Sequence, residues 1–600
     1  MKNFITSMLG ALVALVVFAA GAILLFIGFI GAIVAMGHQK QATDVASGSY
    51  LVFDLSTNIT DAPPPVDFGE LSSGRAATLQ LRSVTRALRY AAHDSRVRGV
   101  LLLGNLFPGG FGSGYAALRE VRAALSDFRA AGKPVVAFID YATPRDFYLS
   151  SMATDVVMDP YGVIMLPGLA SQPWFLAGTF EKYGIGVQVT RAGKYKSYVE
   201  TYTRTDMSAE GREQLQKLLD DIWGTLVSDV GRSRGISAEA IQATVDAEGL
   251  IKPADALKAR LIDRVAYRDE LIDRLKKETG VTSATDSFKQ VELGAYAKSN
   301  LVRPPASASP GEVAIVYAEG EIVDGEGDQA EIGGSKFARE IRRLREDPSV
   351  KAIVLRVNSP GGSASAAETI QRELRLARKA KPVIVSMGSY AASGGYWISA
   401  YGDRIFAEPS TVTGSIGVFA VQFNIQKLAN DHGVTFDTVK TGKFADVLTI
   451  SRPKTEAEMA VFQSMVDWTY SQFIAKVAEG RKLAPGRVEE IAQGRVWSGT
   501  DAKRIGLVDE IGGLDAAIRY AGKQAKLGEH FRVSEYPKPR TLAEAIAEML
   551  GRFAPSSLHI HATGLVGEIA DRVQHELDWL RAFNDPKGIY ARMPVDLLIR

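Results

Sequence analysis

Apolar residues in this 600-residue chain fall into three patterns. An unbroken apolar run comes first, short β-branched runs alternating with helix-period stretches follow, and the last part returns to helical spacing. In the middle region, YLVFDLSTNITD (Tyr50–Asp61) predicts a strand, Leu79–Ala92 an amphipathic helix and Val100–Leu103 a buried strand. A turn holding Pro108-Gly109-Gly110 comes next, then a helix over Gly114–Ala131 and a strand over Val135–Ile139. The same order recurs in strand VAIVYAEGEIVD (Val313–Asp324), helix Lys336–Arg345, strand Ala352–Val357, turn Asn358–Gly362, helix Ala366–Arg378 and strand Val383–Met387. Buried runs of this length alternating with helices predict α/β units with parallel strands.

The recurrence is a duplication. KPVVAFIDYATPRDFYLSSMATDVVMDP (Lys133–Pro160) matches KPVIVSMGSYAASGGYWISAYGDRIFAEP (Lys381–Pro409), setting Tyr148 on Tyr396, Asp155 on Asp403 and Arg145 on Ser393. RAGKYKSYVE (Arg191–Glu200) matches KTGKFADVLT (Lys440–Thr449), setting Lys194 on Lys443 and Lys196 on Ala445. Each copy closes in a helical arm, Ala209–Ser237 in one and Ala457–Ala484 in the other, followed by ALKARLID (Ala256–Asp263) and AKRIGLVD (Ala502–Asp509). A period of about 240 residues is a doubled domain and not a solenoid repeat. The boundaries expected are 1–45 for an anchor, 46–302 and 303–539 for the two copies, with a Pro/Ala/Ser-rich linker over Arg303–Gly311, and 540–600 for a helical tail. Helices near Leu542–Phe553 and Gly567–Phe583 in that tail suit packing, or a membrane surface.

Phe4–Gly37 holds 34 residues without an ionisable side chain. As a helix it reaches about 51 Å, against roughly 30 Å of hydrocarbon. It predicts an uncleaved single-pass anchor; the small residues Ala19–Ala22 leave a cleaved signal peptide as the alternative, against which the length of the run argues. Lys2 before the run, and Lys40 offset by Asp44 after it, lean toward an N-inside orientation with the bulk exported.

Composition narrows the chemistry. The apolar fraction is 46%, the charged fraction 23% and the net charge +2, so nothing points to nucleic acid. Cysteine is absent, removing thiol nucleophiles and thiolate metal sites. None of the seven histidines accompanies a serine motif, and the chain has no HExxH, Walker or dinucleotide-binding loop. No metal and no cofactor is expected.

What remains is a serine and a lysine, one from each copy. Ser393 stands in AASGG, whose small neighbours admit a substrate backbone and whose Gly394 can present an N–H; a helix cap or ordinary turn fits the same pattern. The turn NSPGG offers Gly361 or Gly362 as oxyanion donors, although a strand-to-helix turn needs glycines too. With no histidine available the base is a lysine, which must be neutral, each pK unit of depression costing about 1.4 kcal/mol. Lys194 has its counterpart in Lys443 and serves the shared fold; Lys196 has none and sits among Tyr195, Tyr198 and Val199, which can desolvate it. Complementary loss between the copies, Arg145 for serine and Ala445 for lysine, predicts one composite Ser-Lys site. Ser415, in TGSIG, either orients the lysine amine or is a turn serine.

NSPGG, GSYAASGGYWIS, TVTGSIGVF and GKYKSYVE together resemble the long, double-copy form of the signal peptide peptidase A family, and the likeness extends to AFNDPKGIYA (Ala582–Ala591). The resemblance implies an α/β fold of two tandem Clp/crotonase-like domains with helical arms behind an N-terminal transmembrane helix. It also implies a membrane-bound serine endopeptidase of the bacterial inner membrane, its bulk in the periplasm, degrading signal peptide remnants and other extended apolar peptides, and a dome-shaped homotetramer. On it, Ser393 is the nucleophile, Lys196 the general base, Ser415 the lysine's helper, and Gly361 or Gly362 with Gly394 the oxyanion hole. A crotonase-like acyl-CoA enzyme and a non-catalytic peptide-binding scaffold are the competing readings; neither depends on Ser393 for chemistry.

Overall fold

The computed structural model describes residue 21 and residues 45–63, 77–283, 285–299, 311–328, 330–538 and 584–593. Apart from residue 21, the apolar run Phe4–Gly37 lies outside them, as do the helical readings near Leu542–Phe553 and Gly567–Phe583. Among the described residues no helix is long and apolar enough to cross a membrane.

Each copy builds one mainly parallel sheet, and the two sheets follow the same plan. In the first, the strands run Gln290–Glu292, Ser49–Asp54, Val97–Leu103, Val135–Ala142, Asp155–Met165, Leu250–Ile251 across the sheet, the last antiparallel. In the second the order is Arg532–Tyr536, Glu312–Glu319, Val350–Ser359, Val383–Ala392, Val412–Gly414, Val496–Ser498, again with the last antiparallel. The central strands are buried on both faces, which is why they read as continuous apolar runs and not as alternation. Helices Leu81–His93 and Gly334–Glu346 occupy equivalent places and bury one stripe each, Leu81, Val84, Leu88 and Ala91 in the first, Ala338, Ile341 and Leu344 in the second.

Side-chain detail repeats as well. Lys133 Nζ donates to the carbonyls of Ala91 and Asp94 at 2.7 and 2.6 Å, and Lys381 Nζ to those of Leu344 and Asp347 at 2.8 and 2.9 Å. Both lysines satisfy the open carbonyls where a helix ends. Asp263 accepts from Val156 N–H and Asp509 from Ile405 N–H, at 2.7 and 2.8 Å, so the acid of each ALKARLID-type segment ties a helix to the sheet.

A third sheet joins the copies. Its order is Glu331–Gly333, Glu321–Val323, Gly361–Ser363, Tyr590–Arg592, Val418–Asn424, Gly186–Ala192. The last two pair antiparallel over seven residues, from Val418 opposite Ala192 to Asn424 opposite Gly186, so a strand of the first copy completes a sheet of the second. The segment read as a turn at Asn358–Gly362 is strand on both sides of Pro360: strand Val350–Ser359 runs through Asn358 and Ser359, and Gly361–Ser363 has sheet partners on both sides. The end of the expected helical tail likewise contains the strand Tyr590–Arg592.

Where the copies meet, a charged cluster is sealed from water. Arg356, on strand Val350–Ser359, is fully buried and reaches Asp61 of the first copy through Nε at 2.8 Å and Nη2 at 2.7 Å, and Glu120 through Nη2 at 2.7 Å. Its Nη1 donates to Ser386 Oγ at 2.8 Å. Glu319 accepts from the N–H groups of Asp61 and Ala62 and from Asn358 Nδ2; burial, with Asp61 nearby, pushes its carboxyl up to about 7.

Candidate active site

Strand Val383–Ala392 runs straight into helix Gly394–Ser399, and Ser393 is the single residue between them. Its backbone sits at φ 55°, ψ −113°, a conformation that a non-glycine residue adopts only under constraint and that concentrates at functional sites. AASGG thus makes a sharp strand-to-helix corner without the G-x-S-x-G spelling. The corner is held from outside: Ser393 N–H donates to Gly414 O at 2.8 Å, and Thr413 Oγ1 to Ala391 O at 2.7 Å.

The first copy supplies the lysine. Strand Gly186–Ala192 ends beside Val418, and the chain turns back at Gly193 into the loop that carries Lys196. That loop lies on a turn of the second copy: Tyr195 N–H donates to Gln493 O at 2.8 Å. The same turn holds the Ser415 loop, with Ser415 N–H donating to Arg495 O at 2.7 Å and Gly494 N–H to Ile416 O at 2.8 Å. Gln214, in helix Ala209–Arg234, clamps the lysine from the other side. Its Nε2 donates to Tyr195 O at 2.8 Å and Ser197 Oγ at 3.0 Å, while its Oε1 accepts from Val496 N–H at 3.2 Å.

The result is a three-way contact among side chains with no exposed surface. Lys196 Nζ is 2.7 Å from Ser393 Oγ, 3.1 Å from Ser415 Oγ and 3.1 Å from Ser415 O. Burial alone drives the lysine well below its ordinary value of 10.5. A neutral amine has two N–H groups and one lone pair; the two Ser415 oxygens can take the donors and leave the lone pair facing the Ser393 hydroxyl. The arrangement can therefore remove a proton from a serine.

Glycines line the remaining side. Gly361 is at φ +103°, and a Cβ there would stand 2.1 Å from Ala591 O and 2.7 Å from Gly394 N. A Cβ on Gly394 would stand 3.0 Å from Ala591 O and 3.2 Å from Gly362 N. Gly362, Gly394 and one carbonyl oxygen thus converge in a space that admits no side chain. Gly361 N–H points instead to Ser359 Oγ, at 3.2 Å. The counterparts of Ser393 and Lys196 make no such pair: Arg145 stacks over the Tyr115 ring at 5.2 Å, and Ala445 lies in an exposed loop.

A family model for peptidase family S49 matches the chain twice, over residues 127–282 and 375–528. The chain belongs to peptidase family S49. It is 34% identical over 584 residues to Protease 4 of Salmonella typhi, covering 94% of this chain and 92% of that protein. It is 32% identical over 591 residues to Protease 4 of Haemophilus influenzae, covering 94% and 95%. Against the chloroplastic serine protease SPPA of Arabidopsis thaliana the identity is 32% over 568 residues, covering 92% and 81%. Membership in S49 makes the chain a serine-type peptidase with two copies of the family domain.

Two parts of this S49 site had no warning in the motifs. Gln214 is one glutamine in a polar helical arm, and the turn Gln493–Arg495 reads as an ordinary loop. The strand Tyr590–Arg592 beside the glycines begins in AFNDPKGIYA, a segment the resemblance included but whose extended conformation no pattern announced.

Proposed function

We propose that this S49 peptidase is a membrane-anchored Ser-Lys endopeptidase that cleaves extended apolar peptides, signal peptide remnants among them. Neutral Lys196 takes the proton as Ser393 Oγ attacks a peptide carbonyl carbon. The N–H groups of Gly362 and Gly394 hold the resulting oxyanion, with Gly361 closing the space beside them. Lys196 returns the proton to the departing amine; water then attacks the acyl ester, and its proton travels through the same amine to Ser393. Ser415 keeps the lone pair aimed at the serine. The substrate backbone pairs with strand Gly361–Ser363.

The observation that carries this reading is the 2.7 Å contact between Ser393 Oγ and a fully buried lysine amine from the other copy. The relatives' names, Protease 4 and serine protease SPPA, support proteolysis by a serine. The run Phe4–Gly37 supports single-pass anchoring in the inner membrane with the bulk of the chain in the periplasm. Assembly as a homotetramer of Clp/crotonase-like copies belongs to the same proposal, and the exposed apolar segment around Phe436 and Val439 supports it.

The test is labelling by a fluorophosphonate probe, with casein hydrolysis alongside, in the wild type, Ser393→Ala and Lys196→Met. Labelling and hydrolysis are expected to vanish in Ser393→Ala and to fall by about 10³-fold or more in Lys196→Met. Labelling that survives the loss of Ser393 would remove the nucleophile. Peptide binding without hydrolysis in the wild type would favour a scaffold.

A further inference from the structure

Residues 584–593 lie against the glycines of the site in the way a peptide substrate would. Strand Tyr590–Arg592 runs antiparallel to Gly361–Ser363, with Gly362 opposite Ala591, and Phe419 flanks it on the other side opposite Tyr590. The ladder continues beyond the strand: Met593 N–H donates to Pro360 O at 2.8 Å and Ala364 N–H to Ile589 O at 3.2 Å. Ala591 O is the carbonyl that crowds both Gly361 and Gly394, so it occupies the place assigned above to an oxyanion.

Side chains alternate as along a bound strand. Ile589 and Ala591 are buried in the cluster that includes Trp397, Ile416 and Val418, while Tyr590 enters the aromatic group of Tyr198, Tyr202 and Phe419. Specific polar contacts fix the segment at both ends. Asp585, itself buried, accepts from Ser363 Oγ at 2.6 Å and from Ser365 N–H at 2.9 Å. Asn584 exchanges hydrogen bonds with the backbone of Asp324, and Arg592 pairs with Glu321 at 2.5 Å. These contacts hold one register, the one that brings a small residue's carbonyl to the glycines.

We infer that residues 584–593 are an intramolecular occupant of the peptide cleft, and that a substrate must displace them to reach Ser393. The strand Gly361–Ser363 has Glu321–Val323 on one side and Tyr590–Arg592 on the other, so its backbone offers an incoming peptide no free edge while the segment is in place. An apolar extended peptide competes for the same ladder and the same two pockets; a short polar one gains too little to open the cleft. The enzyme is latent toward the second class and responsive to the first. This inference rests on the Ser393–Lys196 reading of the site.

The test uses the full chain in detergent and a fluorogenic apolar peptide. Asp585→Ala and Arg592→Glu weaken the occupant's anchors without touching the dyad. Each is expected to lower KM about tenfold with kcat little changed, because the fraction of open cleft rises. A chain ending at residue 583 is expected to go further, and the synthetic peptide NDPKGIYARM should inhibit it competitively. Unchanged KM in both point variants, or no inhibition by the peptide, would overturn the inference. So would a joint fall of kcat and thermal midpoint in Asp585→Ala, the pattern of a merely structural strand. Absence of fluorophosphonate labelling at Ser393 in the wild type would instead sink the dyad reading itself.

Discussion

At the scale of the residue, the proposed mechanism asks Lys196 to be unprotonated, and burial acts in that direction. Lys196 has no exposed surface, and desolvation drives its pKa down from 10.5. The unfolded chain binds a proton at this lysine wherever the pH lies between the depressed value and about 10.5, whereas the native chain does not. In that window the unfolded state holds more protons, so native stability from this group rises with pH. Above about 10.5 both states are neutral and the cost of burying the lysine is gone. The thermal midpoint of the wild type, measured against Lys196→Met from about pH 6 to about pH 10, is therefore expected to gain on the variant as pH rises. Equal slopes would mean that the lysine is charged in the native state. Activity has the same sign: kcat/KM should fall as pH drops through the depressed value, since a protonated amine cannot accept from Ser393. Lys196→Arg, permanently charged, should be inactive at every pH.

At the scale of the element, the proposed dyad is assembled by loops brought face to face by the pairing of strand Gly186–Ala192 of the first copy with Val418–Asn424 of the second. The turn at Gly494 is the gauge between them. Gly494 is at φ +76°, and a Cβ there would fall 2.7 Å from both Lys196 Cβ and Lys196 N. Gly494→Ala must therefore push the lysine loop away while leaving Ser393 and its corner intact. Loss of kcat by about 10²-fold, with fold and peptide binding retained, is the expected outcome, read by steady-state kinetics and circular dichroism. Wild-type turnover in that variant would show that the loop tolerates displacement. How far this assembly was legible follows from the kind of signal each part leaves. The repeat was legible because buried parallel strands are continuous apolar runs, and aligning them exposed the serine and the lysine as complementary losses. Gln214 was not, because its three hydrogen bonds go to backbone and hydroxyl groups that any polar side chain could meet in principle. The strand Tyr590–Arg592 was not, because three residues have no period to read and its partner Gly361–Ser363 lies more than 220 positions away.

At the scale of the whole molecule, the duplication leaves one contact unmade. In the first copy, Gly186–Ala192 finds its partner in the following copy, and Val187 and Val189 pack into the aromatic cluster there. The equivalent residues of the second copy, 435–441, form no strand in the described structure and lie exposed, Phe436 at 52% and Val439 at 100%. The repeat alignment matches Val418–Asn424 to residues 169–175 of the first copy, where Trp174 is 48% exposed. A second chain offering its 435–441 segment to residues 169–175 would reproduce between molecules the contact already made within one. Pro173 lacks an N–H, so that contact relies on apolar burial more than on a full ladder. A head-to-tail contact of this kind uses two different surfaces, so it closes only as a ring, as a tetramer does. Placing aspartate at both Phe436 and Val439 would bury two unpaired charges in the contact, each costing several kcal/mol. On the proposed assembly the wild type in detergent is expected to sediment as a tetramer and the doubly substituted chain as a single chain. Its fluorophosphonate labelling per chain should persist, because Ser393 and Lys196 belong to the same polypeptide and meet within it. A variant that keeps the tetramer's mass would put the assembly contact elsewhere, and one that loses labelling on dissociation would mean that neighbouring chains hold the dyad in register.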